Sequence, residues 1–180
     1  MKTTLSFKWF FPFLAVAIAF FHGCASPADP ERMVPTDAVV RKTHSATVDV
    51  AVIGGRQTNP LWVSKVSNED FRKAVETSLL RYGVFSRVIQ NQGTDYRLAV
   101  ELKQLKQPFA GFNMTVTSKV HWRLSNSKTG RIVWQQDIDR RFTARLGDAF
   151  YGVHRLELAN EGAIRENIKT AVQELGELSF

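Results

Sequence analysis

Met114-Thr115-Val116-Thr117-Ser118-Lys119-Val120-His121-Trp122-Arg123-Leu124 alternates without a break. Met114, Val116, Val120, Trp122 and Leu124 share one face with only Ser118 interrupting, and Thr115, Thr117, Lys119, His121 and Arg123 share the other. Successive side chains of a strand point to opposite faces, so a period of two with one apolar face marks antiparallel sheet, covered on one side and wet on the other. Asn126-Ser127-Lys128-Thr129-Gly130 is a turn with glycine at its end, so the next run, Arg131 to Arg145, should pair back as a hairpin. There Ile132, Trp134, Ile138 and Phe142 are expected inward, with Gln136 and Arg140 between them. A charged Arg140 in that row requires a strand edge or a partner.

Upstream, Tyr96 to Leu105 alternates in the same way, with Leu98, Val100 and Leu102 inward. Val84 to Ile89 is a short strand ended by Asn91-Gln92-Gly93. Thr47 to Ile53 is β-branched and apolar, with Val48, Val50 and Val52 on one face, and it stops at Gly54-Gly55. Leu61 to Val66 reads as a short extended piece. A helix follows: Ser67 can cap it, Asn68, Glu69 and Asp70 crowd its positive end, and Gly83 stops it. Phe71, Ala74, Val75, Ser78, Leu79 and Tyr82 form its apolar stripe. A long closing helix carries Ile164, Ile168, Ala171, Val172, Leu175 and Leu178, with Leu156, Ala159 and Ala163 extending the stripe upstream and Gly162 expected to mark a break. The order β-α-β-β-β-β-α predicts an α+β domain, an antiparallel sheet of four to five strands with two helices packed on one face.

The first 23 residues have another character. Lys2 and Lys8 charge the front, Trp9 to Phe21 is apolar apart from Pro12, and small Gly23 closes the run. About a dozen apolar residues fall short of the ~20 needed to span a bilayer, so 1–23 reads as a secretory signal. Cys24, the only cysteine, comes directly after it. A lone cysteine in a secreted chain has no internal disulfide partner, so it pairs with another molecule, stays free or is modified. Ala25 to Ser45 holds Pro27, Pro30 and Pro35 among charged residues without apolar periodicity, so 24–45 is expected to be a flexible, extended tether and 46–180 a single folded domain. The formal net charge is +7, and removing 1–23 takes away two lysines and no acids. That moderate basic excess suits a solvated surface or an anionic envelope component. Nucleic acid is not an expected partner of an exported chain.

Small Gly23 followed by Cys24 resembles the lipobox of bacterial lipoproteins, although Phe21 and His22 stand where that motif usually has Leu and a small residue. The resemblance implies that Cys24 becomes the first mature residue, carries acyl chains and anchors the domain to a membrane. Ala25 after the cysteine implies, by the enterobacterial sorting pattern, a periplasm-facing lipoprotein of the outer membrane. Cys24, the capped helix start Val66-Ser67-Asn68-Glu69-Asp70-Phe71 and the hairpin Lys128-Thr129-Gly130-Arg131-Ile132-Val133-Trp134 together resemble small α+β envelope lipoproteins. The chain is similar to TolB N-terminal and CsgG-like domains, and more loosely to auxiliary lipoproteins of outer-membrane lipid transport systems. The resemblance implies a fold and a compartment, and no catalytic residues.

The residues themselves offer no ordinary catalytic signature. There is no G-x-S-x-G elbow, phosphate-binding loop, H-E-x-x-H or cysteine pair, and no cofactor is expected. His121 alternates with Lys119 and Arg123 on the wet face. His154 near Asp148 and Glu157 could form a base-and-orienter pair, which keeps a small periplasmic hydrolase or transferase as the alternative to a binding or assembly module for an envelope protein or lipid. Two loops at strand ends are rich in glycine and aromatics: Gln107 to Asn113, with Phe109 and Phe112, and Arg145 to Val153, with Phe150 and Tyr151. In a meander they share one end of the sheet. Their aromatics either close the core under the long helix or present an apolar patch to a ligand.

Overall fold

Burial follows the alternating row strand by strand. In the computed structural model, which describes residues 27–56, 65–90 and 93–179, the elements are β1 (His44–Ile53), α1 (Asn68–Arg81), β2 (Phe85–Val88), β3 (Tyr96–Lys106), β4 (Met114–Asn126), β5 (Ile132–Ala144) and α2 (Gly152–Leu175). The signal segment, Cys24 and most of the piece from Leu61 to Val66 lie outside the described residues. The fold is α+β in the expected order.

The sheet runs β2-β1-β3-β4-β5. β3, β4 and β5 form the expected antiparallel meander, with Leu98 opposite Leu124 and Val120 opposite Ile138. β1, however, is parallel to both β2 and β3, so the sheet is mixed rather than wholly antiparallel. Periodicity reports the face a residue occupies, not the direction of its strand. Here α1 carries the chain back to the end at which β1 began, and the following strand therefore runs alongside β1 in the same sense.

Both helices lie on one face. Phe71, Val75 and Leu79 of α1 and Ile164, Ile168, Val172 and Leu175 of α2 pack with Val48, Val50, Leu98, Val100, Val120, Trp122 and Leu124 in one buried cluster. Phe71 meets Trp122 edge-on, with ring centroids 6.1 Å apart. On the opposite face Thr115, Lys119 and Arg123 are exposed, and His121 bonds Asp137 at 2.8 Å. Ser118, the interruption in the apolar row, is fully buried, and its hydroxyl donates to the Ala163 carbonyl of α2 at 2.9 Å. Asn167 completes the device: its Oδ1 accepts from Trp122 Nε1 at 2.8 Å, and its amide donates to the Ile138 carbonyl at 2.7 Å and to Ser118 Oγ at 3.3 Å.

Some inward residues of β5 fall differently. Ile132 is half exposed because the register slips between Leu124 and Ser125, next to the turn. Arg140 reaches α2 and donates to Thr170 Oγ1 at 2.9 Å, which supplies the partner its position required. Gly162 does not break the closing helix, which runs unbroken through it. It marks instead the point where α2 touches β5, since a Cβ there would stand 2.2 Å from the Phe142 ring.

The expected tether does not extend into solvent over residues 27–43. Ala28, Met33 and Val34 are buried in the main cluster, with a 3₁₀ turn at Glu31–Met33. The segment lies along the helix layer: Tyr82 donates its hydroxyl to the Pro35 carbonyl at 2.9 Å, Lys169 pairs with Asp37, and Lys42 N–H donates to Gly176 O at 2.9 Å. Three apolar side chains inserted between two helices outweigh a composition rich in proline and charge. Near its start, Asp29 N–H donates to Glu161 Oε1 at 2.8 Å, and Arg32 lies 3.6 Å from Glu161 Oε2.

The two faces of β4 should separate sharply on mutation. Trp122→Phe removes the donor to Asn167 and leaves a buried carbonyl unpaired, at a cost of about 1–3 kcal/mol, and Trp122→Ala should cost about 3–5 kcal/mol. Lys119→Ala on the open face should stay within about 0.5 kcal/mol in the same denaturant titration. Equal losses on both faces would overturn the assignment.

Glu161 should set a pH dependence. Burial pushes its carboxyl above the ordinary glutamate value, against the Asp29 N–H and the Arg32 cation. A raised carboxyl contributes stability that is fully present below the ordinary value and is lost as pH rises through the folded value. Glu161→Gln keeps an acceptor for Asp29 and removes the buried charge. Its melting temperature should equal or exceed the parent's at neutral pH, with the gap closing in acid. A lower value at neutral pH would mean that the Arg32 contact outweighs desolvation.

Candidate functional site

Met114 pairs with Ala144, so the β3–β4 loop (107–113) and the β5–α2 loop (145–151) leave the sheet from adjacent strand ends. Beneath them a small cluster of Met114, Val116, Ala144, Ala159 and Ala163 joins the strand ends to the first half of α2. Side chains from α2 then hold the loops. Arg155, only 6% exposed, donates through Nη1 to the carbonyls of Ala149 at 2.7 Å and Phe150 at 2.6 Å, and through Nη2 to Gly111 at 3.5 Å. Gln107 donates to Asn160 Oδ1 at 2.8 Å, and Leu146 N–H donates to Asn113 Oδ1 at 3.3 Å. One helix thus ties both loops into a single tip.

The tip presents its aromatics outward. Phe109 is 105% exposed, Phe112 80%, Phe150 84% and Tyr151 76%, and Leu146 is half exposed. They do not close the core. Leaving each in water forgoes about 1.5–3 kcal/mol of burial. Phe150 and Tyr151 pack edge to face at 5.5 Å. Two clefts flank the tip, one lined by Gly54, Arg56, Lys65 and Gln107 among others, the other by Arg32, Phe142, Asp148 and Glu161 among others, and neither takes in the four aromatics. The aromatics form a projecting surface rather than a pocket.

Charge of both signs lies at this end, with Glu69 and Asp70 in the first turn of α1 and Glu157 in α2 alongside Lys106, Arg145 and Arg155. Among the described residues no carboxylate lies within ion-pair distance of Arg155, and its Nε has no hydrogen-bond partner. Arg145 and Lys106 are exposed at the base of the tip, and Arg56 is exposed just beyond the end of β1. Asp148 is turned to local use: its Oδ2 accepts from the Arg145 N–H at 2.7 Å. His154 bonds Glu157 Oε2 at 3.1 Å. Asp148 and His154, the residues of the alternative catalytic reading, are therefore held in separate hydrogen bonds. Among the described residues no cluster of three or more His, Cys, Asp or Glu is placed to hold a metal. Sequence reasoning found the four aromatics but not Arg155, whose only signal was a cation on the apolar side of a helix start.

No protein-family model matches the chain, and no curated protein matches it. Solved structures do share the fold. A DUF330-family protein from Xanthomonas campestris superposes with a TM-score of 0.57 at 12% identity, covering 78% of this chain and 89% of that one. PelC from Paraburkholderia phytofirmans, solved as a dodecamer, gives 0.52 at 13% identity over 78% and 93%. A candidate lipoprotein from Caulobacter crescentus gives 0.50 at 16% identity over 72% and 88%. At these identities the likeness is one of fold.

Arg155→Met should loosen the tip selectively. The stem stays, but three loop carbonyls lose their donor at about 1–3 kcal/mol in total stability. Amide hydrogen exchange should accelerate across 109–112 and 146–151 while the second half of α2 keeps its protection. Unchanged exchange in the loops would show that the arginine does not hold them.

Proposed function

We propose that the chain is a lipid-anchored lipoprotein of the cell envelope, acting through its aromatic tip as a binding or assembly module for an envelope component rather than as an enzyme. The observation that carries this reading is the pair of loops tied by Arg155, which hold four large aromatics in solvent on a rigid support. A folded domain keeps such a patch exposed where something covers it. Cys24, placed directly after the apolar run, supplies the anchor, and Ala25 directs it to the outer membrane. The fold shared with the Caulobacter crescentus candidate lipoprotein supports an envelope location. The resemblance to TolB N-terminal and CsgG-like domains belongs to the same reading and rests on the helix start and the hairpin. Catalysis by Asp148 and His154 is the weaker alternative, because each is engaged locally and apart from the other.

Two variants test this. Cys24→Ser should release the protein from membranes or stall its processing, read by fractionation and by the mass of the N-terminal peptide; unchanged partition and mass would sink the anchor. Alanine at Phe109, Phe112, Phe150 and Tyr151 together should leave the melting temperature within a few degrees and abolish crosslinks formed in intact envelopes. A tip variant with undiminished crosslinks, or a His154→Ala variant that alone loses function, would favour the alternative.

A further inference from the structure

The direction from which the chain enters the fold coincides with the direction in which the tip projects. β1 and β3 both end at the tip, as Ile53 pairs with Glu101 and Lys106 with Thr117, while β4 begins there and β5 finishes there. The described chain begins at this same end: Ala28 N–H donates to Lys65 O at 3.4 Å beside the start of α1, and Asp29 is held by Glu161 of α2. Glu161 stands about 14 Å along α2 from Gly152, at 1.5 Å per residue. The five residue steps from Asp29 back to Cys24 span at most about 17 Å. Cys24 can therefore reach the plane of the tip and little beyond. The opposite end of the sheet, with its Asn126–Gly130 turn, lies a further 13-residue strand away, about 40 Å at the rise of a strand. An anchor on so short a lead cannot seat that end on a membrane.

We infer that the tip is a membrane-seating face: Phe109, Phe112, Phe150 and Tyr151 enter the headgroup region of the leaflet that holds the acyl chains of Cys24, and the sheet stands end-on to the bilayer. This deepens the proposed function and rests on its lipid anchor. Three observations select lipid over a protein partner. The aromatics project instead of lining a groove, as a surface without fixed shape demands. Tyr151 and three phenylalanines bring the apolar bodies and polar handle that suit the boundary between headgroups and chains. Behind them the exposed Arg145, Lys106 and Arg56 offer positive charge to phosphate-bearing headgroups. The short lead also removes most of the entropy cost of docking, because the anchor holds the tip at high effective concentration over the leaflet.

The test places a fluorescent thiol label in the full lipidated chain, reconstituted in vesicles of phosphatidylethanolamine and phosphatidylglycerol with brominated acyl chains. Gly147→Cys labels the tip loop without touching an aromatic, since a Cβ there meets nothing within 4 Å. Thr129→Cys labels the opposite turn. The expected result is that bromine quenches most of the emission at position 147 and little at 129, and that adding Phe109→Ser and Phe112→Ser to the Gly147→Cys chain restores much of it. Equal, weak quenching at both positions overturns the inference. If the tip is unquenched in vesicles yet the alanine tip variant loses its crosslinks in envelopes, the tip binds protein, and only the membrane-seating inference falls. The parent chain reports on the anchor separately: acylated Cys24 takes up no label, and a labelled Cys24 would overturn the anchor, after which quenching at 147 is read with Cys24→Ser added so that one label alone decides whether the tip enters lipid.

Discussion

A single buried amide sets the geometry of this domain. Asn167 is sealed between α2 and the sheet, and it satisfies the Trp122 indole, the Ile138 carbonyl and the Ser118 hydroxyl, while Ser118 also donates to Ala163 of the helix. Hydrophobic contact alone would let a helix slide along a sheet at small cost. Polar groups that must find partners in a dry interface permit one position only, because a slip of one turn would strand several of them. The rest of α2 inherits that position. Gly162 falls where the Phe142 ring needs space, Arg140 reaches Thr170, and Arg155 arrives beneath the loop carbonyls. The tip is thus held by a lever whose fulcrum is Asn167.

The second constraint is the N-terminal segment. Met33 and Val34 fill the space between α1 and α2, and Tyr82 ties the Pro35 carbonyl to α1. The segment packs against both helices and into the cluster they share on the sheet. Under the proposed anchoring through Cys24, the segment brings the point of attachment close to the body of the domain, and attachment and orientation become one property.

Much of this was legible in the sequence, and the failures have physical causes. Ser118 and the five apolar residues around it gave the inward face of β4 directly, because a strand's period is insensitive to context. The caps of α1 were equally plain, and Ser67 accepts from Asp70 N–H as its position suggests. Strand direction was not legible, because parallel and antiparallel strands share the same alternation. Residues 27–43 looked solvated because Ala28, Met33 and Val34 follow no period; they are buried by two helices brought together from elsewhere in the chain. The aromatics of the tip could be located but not assigned to core or surface, since that depends on how far the loops project. Arg155 and Asn167 were invisible as determinants, for a polar residue on a helix declares itself only when its partners are in place.

The bond between Asp29 and Glu161 joins residues 132 apart in sequence, and β1, second from the edge of the sheet, likewise finds both its neighbours later in the chain. Contacts of such separation form late and slowly, because a large loop must close before they yield any stability. A chain that folds as it emerges from its N-terminus therefore presents residues 27–43 well before α2 arrives to complete the fold. During that interval Met33, Val34 and the inner faces of β4 and β5 lack the cover that α2 gives them. The fold thus depends on its last helix, and a chain still lacking it gives a holding chaperone something to hold.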